Sequence, residues 1–506
     1  MGEEDETFTG RGDDAIELLH ELHDYHHEMK TTKSEPRALE TLGNFLTWKA
    51  LEELLSRPWW TRVWTLQEYL VPSNFTFWCD RSYISRESLN KALYVVYKLT
   101  KLSVQGNRLS AKSWYPAWSR RRLRHWYRKR SDALPLVALI SYGSESKATD
   151  PKDRIYSMFN LAKKDDEPSL IKPNYKKDFK ASDAYIDFFK AFVKEHDSLD
   201  IMCFVHIFNQ RCRGSKSVGD LPSWVPDWTA QVAASVMPVM ASQASNPSIG
   251  NFRPFRRRNE HQSVQGYAAS GHHPPRYTIS NDKKILTCIG TVVDVVQSIA
   301  GTRNESCLNL PLSRTTASII LDEITRTLLL DREDKYLNHP SSPGQFYNDF
   351  RALCRAAERN PESIPDSFFH WFRSNQDLVI LGHSLKEICR RSLKRPAFAS
   401  PPTDISTQRR FLDRFEDTTE GMMKMLVTTT SGWVGMAPKR SQQEDKICVI
   451  LGCSIPLVLR KRATPNGGKK EYYEVVGECY LSGVMAGEVV EQADAGYLKY
   501  EELCLL

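Results

Sequence analysis

The stretch Ser56-Arg57-Pro58-Trp59-Trp60-Thr61-Arg62-Val63-Trp64-Thr65-Leu66-Gln67-Glu68, continued by Tyr69-Leu70-Val71-Pro72, crowds tryptophans, arginines and a carboxylate into one short segment. Pro58 suits a first helical turn, where its missing N–H would go unpaired in any case, and Pro72 with Ser73 and Asn74 supplies the stop. The spacing predicts one helix from Pro58 to Tyr69. On such a helix Trp60, Trp64 and Glu68 share a stripe. Two readings of that stripe stand side by side. In one it is a core helix whose Glu68 faces solvent or pairs with Arg57 or Arg62. In the other it is a pocket wall, with the Glu68 carboxylate held toward its protonated form by apolar neighbours and the aromatics stacking a ligand.

Upstream, Ala15 to His23 and Phe45 to Leu55 show helical periodicity. His20, His23 and His27 fall on one helical face, but Lys30 and Lys33 lie close by and no fourth ligand is evident, so no metal site is predicted. Downstream, Phe75 to Cys79 is rich in β-favouring residues and reads as a strand. A helix followed by a strand suggests an α/β unit.

Residues 111 to 130 interleave Trp114, Tyr115, Trp118, Trp126 and Tyr127 with Arg120, Arg121, Arg122, Arg124, Arg128, Lys129 and Arg130. This reads either as a basic helix with a solvated face or as a surface for nucleic acid, a membrane or an import receptor. No recognisable nucleic-acid-binding fold accompanies it, which disfavours a nucleic-acid partner. A second basic cluster, Arg253 with Arg256 to Arg258, lies in a polar stretch, 241–282, that reads as a disordered insertion. Between the two lie compact motifs. Asp150-Pro151-Lys152-Asp153-Arg154-Ile155-Tyr156 opens a helix through an acidic first turn. Leu221-Pro222-Ser223-Trp224-Val225-Pro226-Asp227-Trp228 has too many prolines for regular structure and is expected to plug its tryptophans into a core. A helix with Tyr185, Phe188, Phe189 and Phe192 inward is predicted over Asp183 to Val193.

From Lys284 strand-like runs begin, a helical region follows from Thr315 to Leu393, and a Pro/Ser linker lies near 396–407. The end of the chain returns to strands at 424–430, 446–452, 456–460 and 471–480. Asn466-Gly467 between the last two marks a hairpin, so a small antiparallel sheet or barrel is expected.

Composition bounds the function classes. With 506 residues the chain is long enough for more than one core. A net charge of +7 permits an anionic partner without requiring one. The 11 cysteines include no CxxC pair, which speaks against a zinc ribbon and for a reducing, cytoplasmic setting. The acidic start Met1 to Glu6 is unlike a signal or transit peptide, and no apolar run approaches the roughly 20 residues of a membrane span.

In their order these motifs resemble the fungal heterokaryon-incompatibility (HET) domain proteins. Arg57-Pro58-Trp59-Trp60 with Arg62 to Glu68 is similar to the end of the HET domain, and the Asp150 and Leu221 motifs to those that follow it. Gly432-Trp433-Val434-Gly435-Met436-Ala437-Pro438, Glu444-Asp445 and Gly477-Glu478-Cys479-Tyr480 resemble the family's C-terminal portion. The Leu-Ser-Tyr-x-Trp-Gly-like strand and the Trp-Ile-Asp-Ala-x-Cys-Ile-Asn-Gln-like segment of the family are missing, so a truncated relative or a shortened gene model is expected. The resemblance implies a truncated TIR-like, flavodoxin-like α/β part, then a helical region and an antiparallel β-rich end, α+β overall. It places the end of a HET domain at 1–80, a helical region at 81–240, the insertion at 241–282, a mixed region at 283–395, a linker at 396–410 and the β-rich region at 411–506. It implies a role in non-self recognition and programmed cell death, with protein partners of the incompatibility system or self-association, and no cofactor beyond NAD as a substrate. The TIR likeness implies NAD cleavage with Glu68 as the catalytic carboxylate and Trp60, Trp64 and Arg62 as substrate-binding residues, while the incomplete sheet points to a vestigial, inactive site. The alternative is a non-catalytic interaction or regulatory protein of the same family.

Overall fold

The computed structural model describes residues 12–31, 42–101, 109–129, 134–162, 167–208, 221–232, 240–243, 266–299, 311–334, 337, 343–392, 405–463 and 470–506. These divide into two compact units, one ending at Pro168 and the other running from Ser169 to Leu506.

The first unit is mainly helical: α1 Gly12–Thr31, α2 Phe45–Ser56, α3 Thr65–Leu70, α4 Arg86–Lys101, α5 Ala111–Lys129, α6 Leu136–Gly143 and α7 Asp153–Tyr156. Asn44 caps α2 by accepting from the backbone N–H groups of Leu46 and Thr47, with Thr47 returning the bond. The expected strand exists as β1, Thr76–Cys79, but its partner is β2, Ser82–Ser85, in an antiparallel hairpin turning through Asp80 and Arg81. Parallel pairing among the described residues of this unit is confined to two isolated bridges, Arg62 with Lys147 and Leu134 with Ala162. Among the described residues helices carry this unit, and no parallel sheet is present. The tryptophans of α5 are core residues rather than a displayed surface, Trp114, Trp118 and Trp126 all being buried, whereas Tyr115 and Tyr127 are half-buried. Every residue of α6 is buried, and Arg154, itself buried, donates to the Ser144 carbonyl just beyond the end of that helix. The Asp150 motif therefore closes α6 and opens only the four-residue α7.

The second unit is built on a barrel. Its strands are β3 Tyr277–Ile279, β4 Leu286–Ile299, β5 Val379–Ile380, β6 His383–Ser384, β7 Lys424–Thr429, β8 Val434–Pro438, β9 Lys446–Ile450, β10 Leu457–Arg462, β11 Tyr472–Glu478, β12 Tyr480–Leu481 and β13 Glu501–Leu505. The long β4 pairs β13 through its first half and β9 through its middle. β9 pairs β10, β10 pairs β11, and β11 runs parallel to β13, which closes a ring of hydrogen bonds. Closure leaves those strands no free edge. Register shifts at Val292/Asp294 and Val296/Ser298 bend β4 so that its last residues leave β9 and carry β7, β8 and β12. Inside lie Val296, Val427, Ile447, Val449, Val458, Val476 and Leu481.

Helices α8 Ala181–His196, α9 Arg314–Leu328, α10 Pro343–Arg359, α11 Asp366–Asn375, α12 Leu385–Ser392, α13 Ile405–Glu416 and α14 Glu488–Asp494 complete the unit. Tyr185, Phe188, Phe189 and Phe192 of α8 are fully buried, as expected. Trp224 and Trp228 pack on Phe189 and Phe188, with ring centroids 4.7 and 5.7 Å apart. Ser223 joins this plug to the barrel, its N–H donating to the Leu506 carbonyl and its hydroxyl accepting from the Val475 N–H. Of the stretch expected to be a disordered insertion, residues 244–265, with Arg253 and Arg256 to Arg258, lie outside the described residues. Residues 266–282 fold, since β3 pairs β4 and Tyr267 donates its hydroxyl proton to the Leu330 carbonyl. The expected linker is outside the described residues up to 404, and α13 begins at Ile405.

Candidate functional site

The Arg-Pro-Trp-Trp segment does not form one helix. Pro58–Thr61 is a 3-10 turn, and Arg62 then turns extended, with φ −76° and ψ 137°. The bridge to Lys147 holds it there: the Val63 N–H donates to the Lys147 carbonyl and the Lys147 N–H to the Thr61 carbonyl. The Thr65 hydroxyl meets the carbonyls of Trp59 and Arg62, both at 2.7 Å, as α3 starts afresh. The predicted stripe is therefore split. Trp60 is buried, stacks on Phe77 with centroids 5.4 Å apart and donates its indole N–H to the Leu54 carbonyl. Trp64 and Glu68, one helical turn apart, remain together at the surface, Trp64 being 38% exposed. Arg62 is exposed and contributes its backbone carbonyl to the site.

The group that orients Glu68 is Trp59, not Arg57 or Arg62. Its indole Nε1–H donates to Glu68 Oε2 at 2.9 Å. Arg120 lies over the Trp59 ring, 5.4 Å from its centroid, and donates through Nε to the Trp60 carbonyl and through Nη2 to the Arg62 carbonyl, both at 2.9 Å. Burial pushes the Arg120 guanidinium down to about 10, against the opposing pull of Tyr69 and Glu68. One buried arginine thus fixes the turn that carries the tryptophans, and one tryptophan fixes the carboxylate. Such a carboxylate can accept a hydroxyl or face a developing positive charge. Its exposure to water weakens any charge it stabilises. The repeated tryptophans marked this region in the sequence, whereas nothing local connected it to Arg120.

Sequence reasoning also missed a polar cluster in the barrel unit. Lys424 and Glu478 are both buried, with Nζ 3.4 Å from Oε1, and Lys424 donates to the Glu478 backbone carbonyl at 2.8 Å. The Glu478 carboxylate also accepts from the Met240 N–H. Burial raises its pKa, and Lys424 acts against that shift. Beside Gly477, whose φ of +144° and tight approach to the His206 Cβ exclude a side chain, His206 faces the carbonyls of Met422 and Met423 through Nε2. Those acceptors assign the proton to Nε2. Burial, and then the Lys424 charge, lower the His206 pKa to about 3. The unfolded chain therefore binds this proton near pH 6.5 while the folded chain refuses it, so the histidine removes stability as pH falls from 6.5 toward 3. His206→Gln, which keeps a donor for the carbonyls, is expected to flatten that acid limb in urea titrations at a series of pH values. An unchanged limb would refute the assignment.

Asp200, Cys203 and Cys453 are the only three residues among those described whose buried His, Cys, Asp or Glu side chains gather as a metal set would, their ligand atoms lying within 4.8 Å of one another. The Asp200 carboxylate is already used by the Ser454 N–H at 2.6 Å and the Ser454 hydroxyl at 2.8 Å. These contacts form a hydrogen-bonded knot between the 200–204 turn and the barrel.

With a mainly helical first unit, a second unit built on a barrel, and no described helix long and apolar enough to cross a membrane, the chain is an α+β protein with a C-terminal barrel. Residues 408–498, which hold most of that barrel, match the Het-6 beta-barrel domain. The chain is also 21% identical over 484 residues to heterokaryon incompatibility protein 6, OR allele, of Neurospora crassa, an alignment covering 87% of this chain and 66% of that protein. It thus spans about two thirds of that relative's length. No solved structure matches. The chain is thus similar to a heterokaryon incompatibility protein and carries a match to the Het-6 beta-barrel domain.

Proposed function

We propose that this chain is an effector or signalling component of fungal non-self recognition, acting through protein partners of an incompatibility system or through self-association. The observation that carries the reading is the closed barrel, whose strands β7 to β12 lie in the region matching the Het-6 domain. The family relationship to a heterokaryon incompatibility protein supports the same role. Expression of the intact chain in a fungal strain carrying an incompatible partner is expected to arrest growth. Normal growth against every partner tested would overturn the proposal.

Within this reading Glu68 is the candidate carboxylate of a TIR-like NAD-cleaving site, with Trp64 and Arg62 beside it. Its support is the fixed Trp59–Glu68 hydrogen bond and the exposed aromatic one turn away. A carboxylate near the ribose would stabilise an oxocarbenium-like transition state at the nicotinamide–ribose bond. Any NAD hydrolysis by the purified chain is expected to fall at least about a hundredfold in Glu68→Gln, the order of loss when a group stabilising transition-state charge is removed, with the melting temperature unchanged. Full turnover in that variant would remove Glu68 from the chemistry. The solvent exposure of Glu68 favours the second reading, a non-catalytic HET-family interaction protein, because such chemistry gains most in a site closed to water.

A further inference from the structure

In the first unit a cavity of about 520 Å³ opens between the segment Ser73 to Thr76, the start of α4 and one face of α5. Arg121, Arg124 and Arg128 line it at the i, i+3 and i+7 spacing of a single helical face, and Arg86 enters from α4. The one carboxylate in the lining, Glu87, is exposed and already paired with Lys91 at 3.2 Å. Among the described residues the four guanidiniums face the space without an ion pair to a carboxylate.

Their other contacts separate a supporting role from an open one. Arg86 is fixed by the carbonyls of Tyr69, Pro72 and Ser73 at the end of α3. Arg121 is held by the Asn90 carbonyl and by stacking on Trp118. Buried Arg124 has one hydrogen bond, to the Pro72 carbonyl at 3.2 Å, and Arg128 has none among the described residues. Burial pushes the Arg124 guanidinium down to about 10, and the like charges of Arg86 and Arg128 add to that shift. Four guanidiniums held together, two of them with donors to spare, match the oxygens of a phosphate, which accept forked N–H pairs. Ser73, Asn74, Thr76 and Ser85 add neutral hydrogen-bonding groups at the rim. The volume suits a small molecule rather than a duplex or a protein surface.

We propose that this cavity binds a small molecule bearing a phosphate ester or a diphosphate, gripped by Arg124 and Arg128 with Arg86 and Arg121 behind them. The site is independent of the Glu68 chemistry.

The test uses the intact chain and calorimetric titration with pyrophosphate, ADP and sulfate at 100 mM NaCl. Pyrophosphate and ADP are expected to bind and to weaken as salt rises. The Arg124→Gln/Arg128→Gln double variant is expected to lose at least tenfold in affinity. Arg128→Gln alone, at an exposed side chain, is expected to lose severalfold at an unchanged melting temperature, which keeps the test valid if the double variant folds poorly. Glu68→Gln is expected to bind pyrophosphate as the parent does, whatever becomes of its NAD turnover. Phosphoinositide vesicles that bind and are displaced by pyrophosphate would identify a lipid headgroup as the source of the phosphate and would support the site. Failure of pyrophosphate and ADP to bind, equal affinity in the parent and Arg128→Gln, or binding of single-stranded RNA that pyrophosphate does not displace would overturn it.

Discussion

Lys424→Met is expected to lower the unfolding free energy at neutral pH by about 3–5 kcal/mol, the usual result of removing one partner from a buried ion pair. Both charges are out of water, with side-chain exposures of 0% for Lys424 and 1% for Glu478. Without the ammonium the Glu478 carboxylate keeps the backbone N–H groups of Met240 and Ala241 but no opposing charge from Lys424, and the Glu478 carbonyl loses a donor as well. Burial already holds the Glu478 pKa above its ordinary 4.5, so the folded chain keeps this proton to a higher pH than the unfolded chain. Its contribution to stability therefore declines as pH rises past 4.5, and removing Lys424 takes away the charge that restrains the shift. The penalty should be small near pH 4 and grow toward neutrality. Lys424→Met/Glu478→Gln, which removes both charges and keeps an acceptor for Met240, should recover most of the loss. Urea titrations of the parent, the single and the double variants at two pH values decide the matter, and a double variant as unstable as the single one would refute the pairing.

The barrel was legible because its strands declare themselves locally. Lys446 to Ile450 is a short apolar run ending at a glycine turn, and Tyr472 to Glu478 follows an Asn-Gly signal. The register Arg462 with Tyr472 through Leu457 with Glu478 is that of the expected hairpin, although the turn itself lies outside the described residues. What escaped was non-local. β13 begins with two glutamates and becomes a strand only by lying between β4 and β11, more than two hundred residues from β4 in the chain. The lysine that answers Glu478 stands 54 residues away, and no periodicity joins the two. The Pro58 segment failed for the same kind of reason. Its pattern favours a helix, but the Lys147 bridge and the Arg120 hydrogen bonds hold Arg62 extended, and tertiary contacts override local preference. The basic stretch 111–130 combined two roles that one sequence could not separate. Arg120 and the tryptophans are structural, whereas Arg128 stays at the surface.

Arg120→Met is the second large effect expected, about 3 kcal/mol of destabilisation. The methionine fills much of the same volume, so the loss comes from polar groups rather than from a hole. The Trp60 carbonyl loses its guanidinium donor in a buried setting, at roughly 1–3 kcal/mol for a group left unsatisfied, the Arg62 carbonyl is left with the Thr65 hydroxyl, and Trp59 loses the cation over its ring. Arg120→Lys should restore little. A single ammonium cannot reproduce a planar fork that serves Nε and Nη2 acceptors at once. The two variants also test whether the candidate site depends on this arginine, because the Trp59 indole that holds Glu68 sits directly under the guanidinium. A changed near-ultraviolet circular dichroism spectrum is expected in both variants, since Trp59 and Trp60 form an edge-to-face pair 4.9 Å apart within the affected turn. A lysine variant with the parent's melting temperature and spectrum would show that the guanidinium fork does not set the geometry of this turn, and the order in which Arg120 positions Trp59 and Trp59 positions Glu68 would fall with it.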